Sequence, residues 1–378
     1  MLGVYVSRNV VPGISAMDMV PLIDLIGEPG AALAGGAVLG LVFGVLAQRT
    51  GFCTRSAVLD LARGRDMKAL AMWAGGFAAA VLGVQTLLFF GMIDVVETRF
   101  FATAQSLSGA AIGGLLFGIG MILARGCASR LLILGASGNL RAAFSVLVIG
   151  AVGLATYNGA LVPLRDAIGG LVSTAAIGGN DLLFLAGLDR TGGLAIGVLL
   201  SLVALTLALV YRLSVWRLIG SIGVGCTIAA GWYFTYTLSA QVFDPIQVES
   251  LSFIRPLATS VEAARDSSLA GLDQGLLAGV VAGGLLSALL FRDFRVVTFS
   301  EPGAPSILRY ALGSALMGFG GILAVGCTIG AGFSGGSVLA VSSLLGLCAM
   351  IAGAWAADRL LDRDAAAHGA STAALAAE

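Results

Sequence analysis

Apolar positions gather into blocks of roughly spanning length nine times along the chain, at 30–48, 69–91, 105–123, 141–160, 192–211, 216–238, 271–290, 309–325 and 337–357. A helix of about 20 apolar residues crosses the hydrocarbon core of a bilayer. Short polar segments separate the blocks, and no stretch shows the sustained alternation of a half-buried strand. The pattern therefore predicts an all-α polytopic membrane protein with nine transmembrane helices. Within the blocks the glycines, 55 in all, recur three or four residues apart, as in "GGAVLGLVFG" and "GSALMGFGG". That spacing lets helix backbones approach closely in lipid.

Composition agrees: 58% of the 378 residues are apolar and 11% charged, against about 25% charged in a soluble domain. The first 28 residues lack an apolar core followed by a small-residue cleavage site, so the first apolar block is expected to act as the insertion signal and to remain in the product. The Ala-rich tail, 362–378, has no periodic apolar face and is expected to be disordered. Net charge is zero, but the charges are unevenly placed. With the loop between the first two spans set inside, only Arg8, Arg99, Arg165, Arg190, Arg255 and Arg265 of the 21 Lys and Arg residues fall outside. The excess of basic residues on the other loops predicts an extracytoplasmic N-terminal segment, 1–29, and a cytoplasmic C-terminus. Lipid is the expected surrounding, and no nucleic-acid partner is expected.

Two segments match each other. "SGAAIGGLLFGIGMILARGCASR" and "RYALGSALMGFGGILAVGCTIGAG" share the string ILA-x-GC, at Ile122–Cys127 and Ile322–Cys327, an offset of 200 residues. The match suggests duplicated halves, drawn as 30–170 and 192–361 with a linker at 171–191. On the charge map the helix before Cys127 runs inward and the helix before Cys327 outward, so the halves are inverted. Inverted repeats place a site near the membrane midplane, built from broken helices that meet from opposite sides. A weaker match pairs "QRTGFCTRSAV", with Cys53, and "GSIGVGCTIAAG", with Cys226.

The Gly-rich segments after these cysteines predict short re-entrant half-helices. Irregular backbone at membrane depth is tolerated only where protein or a water-filled cavity covers it. Gly126 and Gly326 supply the turn, and hydroxyls on Thr328, Ser334 and Ser337 can satisfy freed backbone groups. Half-helix N-termini aim unpaired N–H groups at the centre and favour an anion. A thiol is soft and polarizable, so a sulfur-bearing anion suits it. Cys53, Cys127 and Cys327 are the candidate path residues, with Cys226, Gly126, Gly326, Thr328 and Arg55 as secondary candidates. Cys348 is expected to be a packing residue inside the last span. Arg55, Arg125 and Arg130 are explained as well by membrane orientation as by anion attraction. The one histidine, His368, lies in the tail, and the spans hold no central carboxylate. No metal site is expected, and a carboxylate-driven proton pump is disfavoured. A channel for another small solute and a membrane thiol redox protein stay open on the residues alone.

At "GFCTRSAV", "ARGCASR" and "VGCTIGAGFSGGS" the chain resembles the YeeE/YedE family, over about residues 30–360. The resemblance implies an hourglass-like inverted-repeat fold in the bacterial inner membrane. It also implies uptake of thiosulfate or a related sulfur or selenium anion, with no cofactor. By motif it implies a path through Cys53, Cys127 and Cys327, along which thiols hand the ion on by S–H···S contacts without a covalent bond. A separate TusA-like sulfur carrier is the partner it suggests.

Overall fold

The computed structural model describes residues 18–64, 66–243, 246–266, 270–301 and 305–363. The expected terminal segments, including His368, lie largely outside the described residues. The first half holds α1 (Val20–Thr50), α2 (Thr54–Arg63), α3 (Lys68–Phe89), α4 (Leu107–Leu123), α5 (Ala128–Ala136) and α6 (Leu140–Tyr157). A connecting region follows, with α7 (Val162–Gly169), a 3-10 turn at Thr174–Ile177, α8 (Leu182–Leu185) and α9 (Arg190–Val210). The second half holds α10 (Val215–Ser239), α11 (Ile254–Arg265), α12 (Leu272–Leu290), α13 (Ile307–Leu323), a π-helical segment at Thr328–Gly335 and α14 (Val341–Ala357). Among the described residues nine runs are long and apolar enough to cross a membrane, and β structure is limited to isolated bridges.

Boundaries differ from expectation in two places. The first helix begins at Val20 rather than at residue 30, and it is kinked at Gly27, where φ is 75° ahead of Pro29. The last span begins at Val341, because the residues expected to open it, 337–340, form the turn that follows the π-helical segment, with Leu339 left-handed at φ 57°. The three longest runs, Val20–Arg63, Leu107–Ala136 and Ile307–Gly335, are those broken at a cysteine that caps a further helical segment. Each exceeds what one crossing requires, and the surplus forms α2, α5 and the π-helical segment.

Small residues set the packing. Gly36, Gly40 and Gly44 of α1 lie against the backbone of α12 at Leu272, Leu276 and Val280, while Gly275, Gly279 and Gly283 of α12 lie against Leu33, Ala37 and Leu41 of α1. The pair is parallel, locked by glycines every fourth residue on both sides. In the same sense α3 packs parallel to α10, with Gly76 and Gly225 at the seam. By contrast α4 and α13 cross antiparallel. A Cβ on Gly113 would stand 2.6 Å from the Gly320 carbonyl oxygen, and one on Gly313 2.8 Å from that of Gly120. These four glycines are two pairs 200 residues apart, each packed on the other's mate. One end of the bundle gathers Arg49, Arg63, Lys68, Arg125, Arg212 and Arg292 at helix termini; we call it the basic end. The helix directions bring Cys53 and Cys127 toward it and Cys327 toward the opposite end.

Candidate functional site

Cys53, Cys127 and Cys327 occupy one local arrangement three times. Each follows a helix closed by a pair of backbone bonds. Phe52 donates to the Ala47 oxygen and Gly51 to that of Gln48; Gly126 donates to Met121 and Arg125 to Ile122; Gly326 donates to Gly321 and Val325 to Ile322. This closure needs a left-handed residue. Gly51 serves in α1 with φ 67°, but Arg125 and Val325 serve in α4 and α13 with φ 59° and 58°. The cysteine comes next in extended backbone and is the N-cap of the following half-helix: Cys53 of α2, Cys127 of α5, Cys327 of the π-helical segment. A helix leaves its first-turn N–H groups unpaired; at Cys327 the capping sulfur accepts one of them, whereas the Cys53 and Cys127 side chains make no capping hydrogen bond. Gly330 donates to Cys327 Sγ at 3.4 Å, and the backbone of Ile329 and of Phe253 also faces it.

All three thiols are buried, at 6%, 1% and 0% exposure, within one apolar core. Cys53 Sγ and Cys127 Sγ lie 3.9 Å apart, and Ser129 Oγ is 3.5 Å from Cys127 Sγ. The two ends are tied through aromatic edges: Phe333, just beyond Cys327, packs edge-on against Phe52, just before Cys53, with ring centroids 5.6 Å apart.

The remaining candidates fall outside this arrangement or at its margin. Cys226 lies exposed in the middle of the unbroken α10, and Cys348 is exposed on α14. Gly126 and Gly326 close the helices before the cysteines. An added Cβ at Gly326, where φ is 154°, would stand 2.5 Å from the Ala331 nitrogen. Arg55 is half-buried on α2, Arg125 is exposed, and Arg130 donates to Gln48 at 3.1 Å. Of the hydroxyls expected to satisfy freed backbone, Ser334 donates to the Leu251 oxygen and Ser337 to that of Ser334. Thr328 departs from the expectation: its buried Oγ1 makes no hydrogen bond among the described residues. No group of three or more His, Cys, Asp or Glu among the described residues is placed to hold a metal.

Two features escaped the sequence. The first is a fourth half-helix, α11, capped by Phe253. In helix order α11 is the counterpart of α2, and Arg55 and Arg255 stand 200 residues apart, as do Arg65-Asp66 and Arg265-Asp266. That register, and not a thiol, carried the signal: Phe253 takes the position matching Cys53. The stretch leading to it is buried and pinned, with Ser250 Oγ donating to Ile228 and Thr235 Oγ1 to Glu249, both to backbone oxygens. The second is a cluster of charges at the opposite end. Arg255 pairs with Glu249 and, through two bonds of 3.1 and 3.2 Å, with Asp273; Arg99 stands 3.7 Å from Glu249 and over the Phe100 ring. Burial lowers the Arg99 pKa, with Glu249 opposing. Burial acts likewise on Arg255, but Glu249 and Asp273 together outweigh it and raise its pKa. From sequence Arg99 and Arg255 fall in outer segments and Asp273 at the start of the expected seventh span, with nothing to join them. Near them Phe101–Ala104, Thr174 and Gly178–Asn180 line a cavity of about 320 Å³.

Comparison with known proteins gives consistent results. A family described as sulphur transport matches residues 49–356. The thiosulfate transporter TsuA of Spirochaeta thermophila is 26% identical over 334 residues, covering 85% of this chain and 96% of that protein. The thiosulfate transporter TsuA of Escherichia coli K12 is 25% identical over 361 residues, covering 86% of this chain and 94% of its own.

Proposed function

Because the chain belongs to the sulphur-transport family, we propose that it carries thiosulfate, or a closely related sulfur anion, inward across the bacterial inner membrane through a constriction lined by Cys327, Cys53 and Cys127. The observation that carries this reading is the threefold recurrence of a buried cysteine capping a half-helix, with two of the three sulfurs 3.9 Å apart. A half-helix N-terminus offers N–H donors and positive potential to an anion. A buried thiol offers a soft partner for a sulfur atom. Sulfurs at contact distance let an ion leave one as it reaches the next.

The two halves are inverted copies in this reading, and two reciprocal arrangements support it: α1 on α12 is matched by α3 on α10, and α4 crosses α13 through glycines 200 residues apart. With the basic end cytoplasmic, the N-terminus lies outside. Cys327 meets the ion first, and Cys53 and Cys127 receive it. A separate TusA-like carrier is the acceptor we propose at the basic end.

Uptake of labelled thiosulfate in a strain with no other sulfur source tests the reading. Cys327→Ala is expected to abolish uptake and thiosulfate-dependent growth while the protein still reaches the membrane. Uptake equal to the parent would overturn the assignment of Cys327.

A further inference from the structure

We propose that Ser252 and Thr328 form the oxygen-binding half of the anion site at Cys327, so that one tetrahedral sulfur oxyanion is held by a thiol on its sulfur and by two hydroxyls on its oxygens. This rests on the reading above, in which Cys327 meets the anion.

Both side chains are buried, Ser252 at 2% and Thr328 at 0% exposure, and neither Oγ has a hydrogen-bond partner among the described residues. A buried hydroxyl without a partner is disfavoured, and this chain satisfies most of its hydroxyls locally. Thr50, Thr86, Ser137 and Thr156 each donate to the carbonyl four residues back. Ser145, Ser287 and Ser314 also lack a partner, but they lie within α6, α12 and α13 and are not next to a capping cysteine in the chain.

Ser252 and Thr328 are set apart by place. Thr328 follows Cys327 directly. Ser252 precedes Phe253, whose backbone faces the Cys327 sulfur, and its Oγ lies so close to Gly330 that an added Cβ there would stand 2.5 Å from it. Gly330 is the residue whose N–H donates to Cys327 Sγ. Two chain segments distant in sequence thus each place an unpartnered buried hydroxyl beside the turn that holds Cys327: Thr328 next to it in the chain, and Ser252 against Gly330, whose N–H donates to the sulfur. The chemistry divides accordingly. A thiol contacts sulfur without discriminating what is bonded beyond it. Hydroxyl donors set away from the sulfur add contacts at the distance of an anion's oxygens, where they bond more strongly than to sulfur, which would favour thiosulfate over hydrosulfide.

The test compares Ser252→Ala, Thr328→Val and the double variant with the parent in proteoliposomes, reading the half-saturating concentration of labelled thiosulfate. Melting of the purified protein with and without thiosulfate is read alongside. The double variant is expected to raise the half-saturating concentration about tenfold or more and to lose the thiosulfate-induced rise in melting temperature. Melting without thiosulfate should hold or rise, since the substitutions delete unpaired buried groups. Thr328→Val keeps the side-chain shape and Thr328→Ser keeps the hydroxyl, so this pair decides the matter even if Ser252→Ala does not fold: Thr328→Ser should bind like the parent and Thr328→Val should not. Unchanged half-saturation in the double variant, or in Thr328→Val alone, overturns the proposal. If Cys327→Ala has meanwhile abolished uptake, only the role of the hydroxyls falls; if Cys327→Ala is silent too, the cysteine path falls with it.

Discussion

Arg125 and Val325 hold the left-handed conformation that a helix closure normally gives to glycine, with φ 59° and 58°. For a β-branched valine this conformation costs roughly 1–2 kcal/mol, and strain of this kind persists only where surrounding structure over-determines it. The glycine that follows completes the turn, and at Gly326 there is no room for a Cβ beside Ala331. Gly326→Ala is therefore expected to misplace Cys327, with a stability loss of about 1–3 kcal/mol and loss of uptake. Melting of the purified variant and thiosulfate uptake check this; a variant that melts and transports like the parent would show the turn to be tolerant. Much at this scale was legible in the sequence. The repeated ILA-x-GC string picks out both turns and both thiols, because the residue types that permit the turn are short-range. Ser252 was not legible. Its nearness to Cys327 arises when a stretch 75 residues away is laid against the π-helical segment, and no local pattern encodes that approach.

Between elements, glycine decides which helices can touch. The reciprocal crossing of α4 and α13 makes Gly113 and Gly320 neighbours, and a branched side chain at either meets backbone rather than a movable side chain. Gly113→Val and Gly320→Val are each expected to lower stability, by similar amounts of about 1–3 kcal/mol, whereas the same change at the open Gly64 turn would act only through backbone strain at φ 60°. Thermal melting in detergent measures this; a large effect at one crossing glycine and none at its partner would argue against the reciprocal packing. The nine spans were readable from hydropathy because each crossing obeys the same length requirement. The half-helix α11 was not. Its cap is Phe253, and pairing thiol with thiol led to Cys226 instead. Arg55 and Arg255 stand 200 residues apart, as Cys127 and Cys327 do, and helix packing constrains such a spacing more tightly than it constrains the residue at a cap. The outcome is an asymmetric site: two thiols in contact toward the basic end, and one thiol beside Phe253 toward the other.

Across the whole molecule the two ends differ in charge as they do in sulfur. The end holding Cys327 carries the set Arg99, Glu249, Arg255 and Asp273, in which the buried Glu249 links two half-buried arginines. Removing one member of such a set leaves buried charge unmatched, at a cost of about 3–5 kcal/mol. Glu249→Gln is thus expected to reduce folded yield sharply, as size-exclusion chromatography of the membrane extract would reveal; a monodisperse peak at parental yield would contradict the structural role given to the set. Hydropathy alone concealed this cluster, since its members come from loops and helix starts far apart in the chain. Transport by this protein, as proposed, depends on the thiols as the path itself. The most direct measurement is uptake of labelled thiosulfate into proteoliposomes by the parent and by the Cys53→Ala, Cys127→Ala, Cys327→Ala triple variant, with circular dichroism and melting matched. Uptake reduced to that of empty vesicles by a folded triple variant is the predicted result. Uptake by that variant at the parental rate would contradict it.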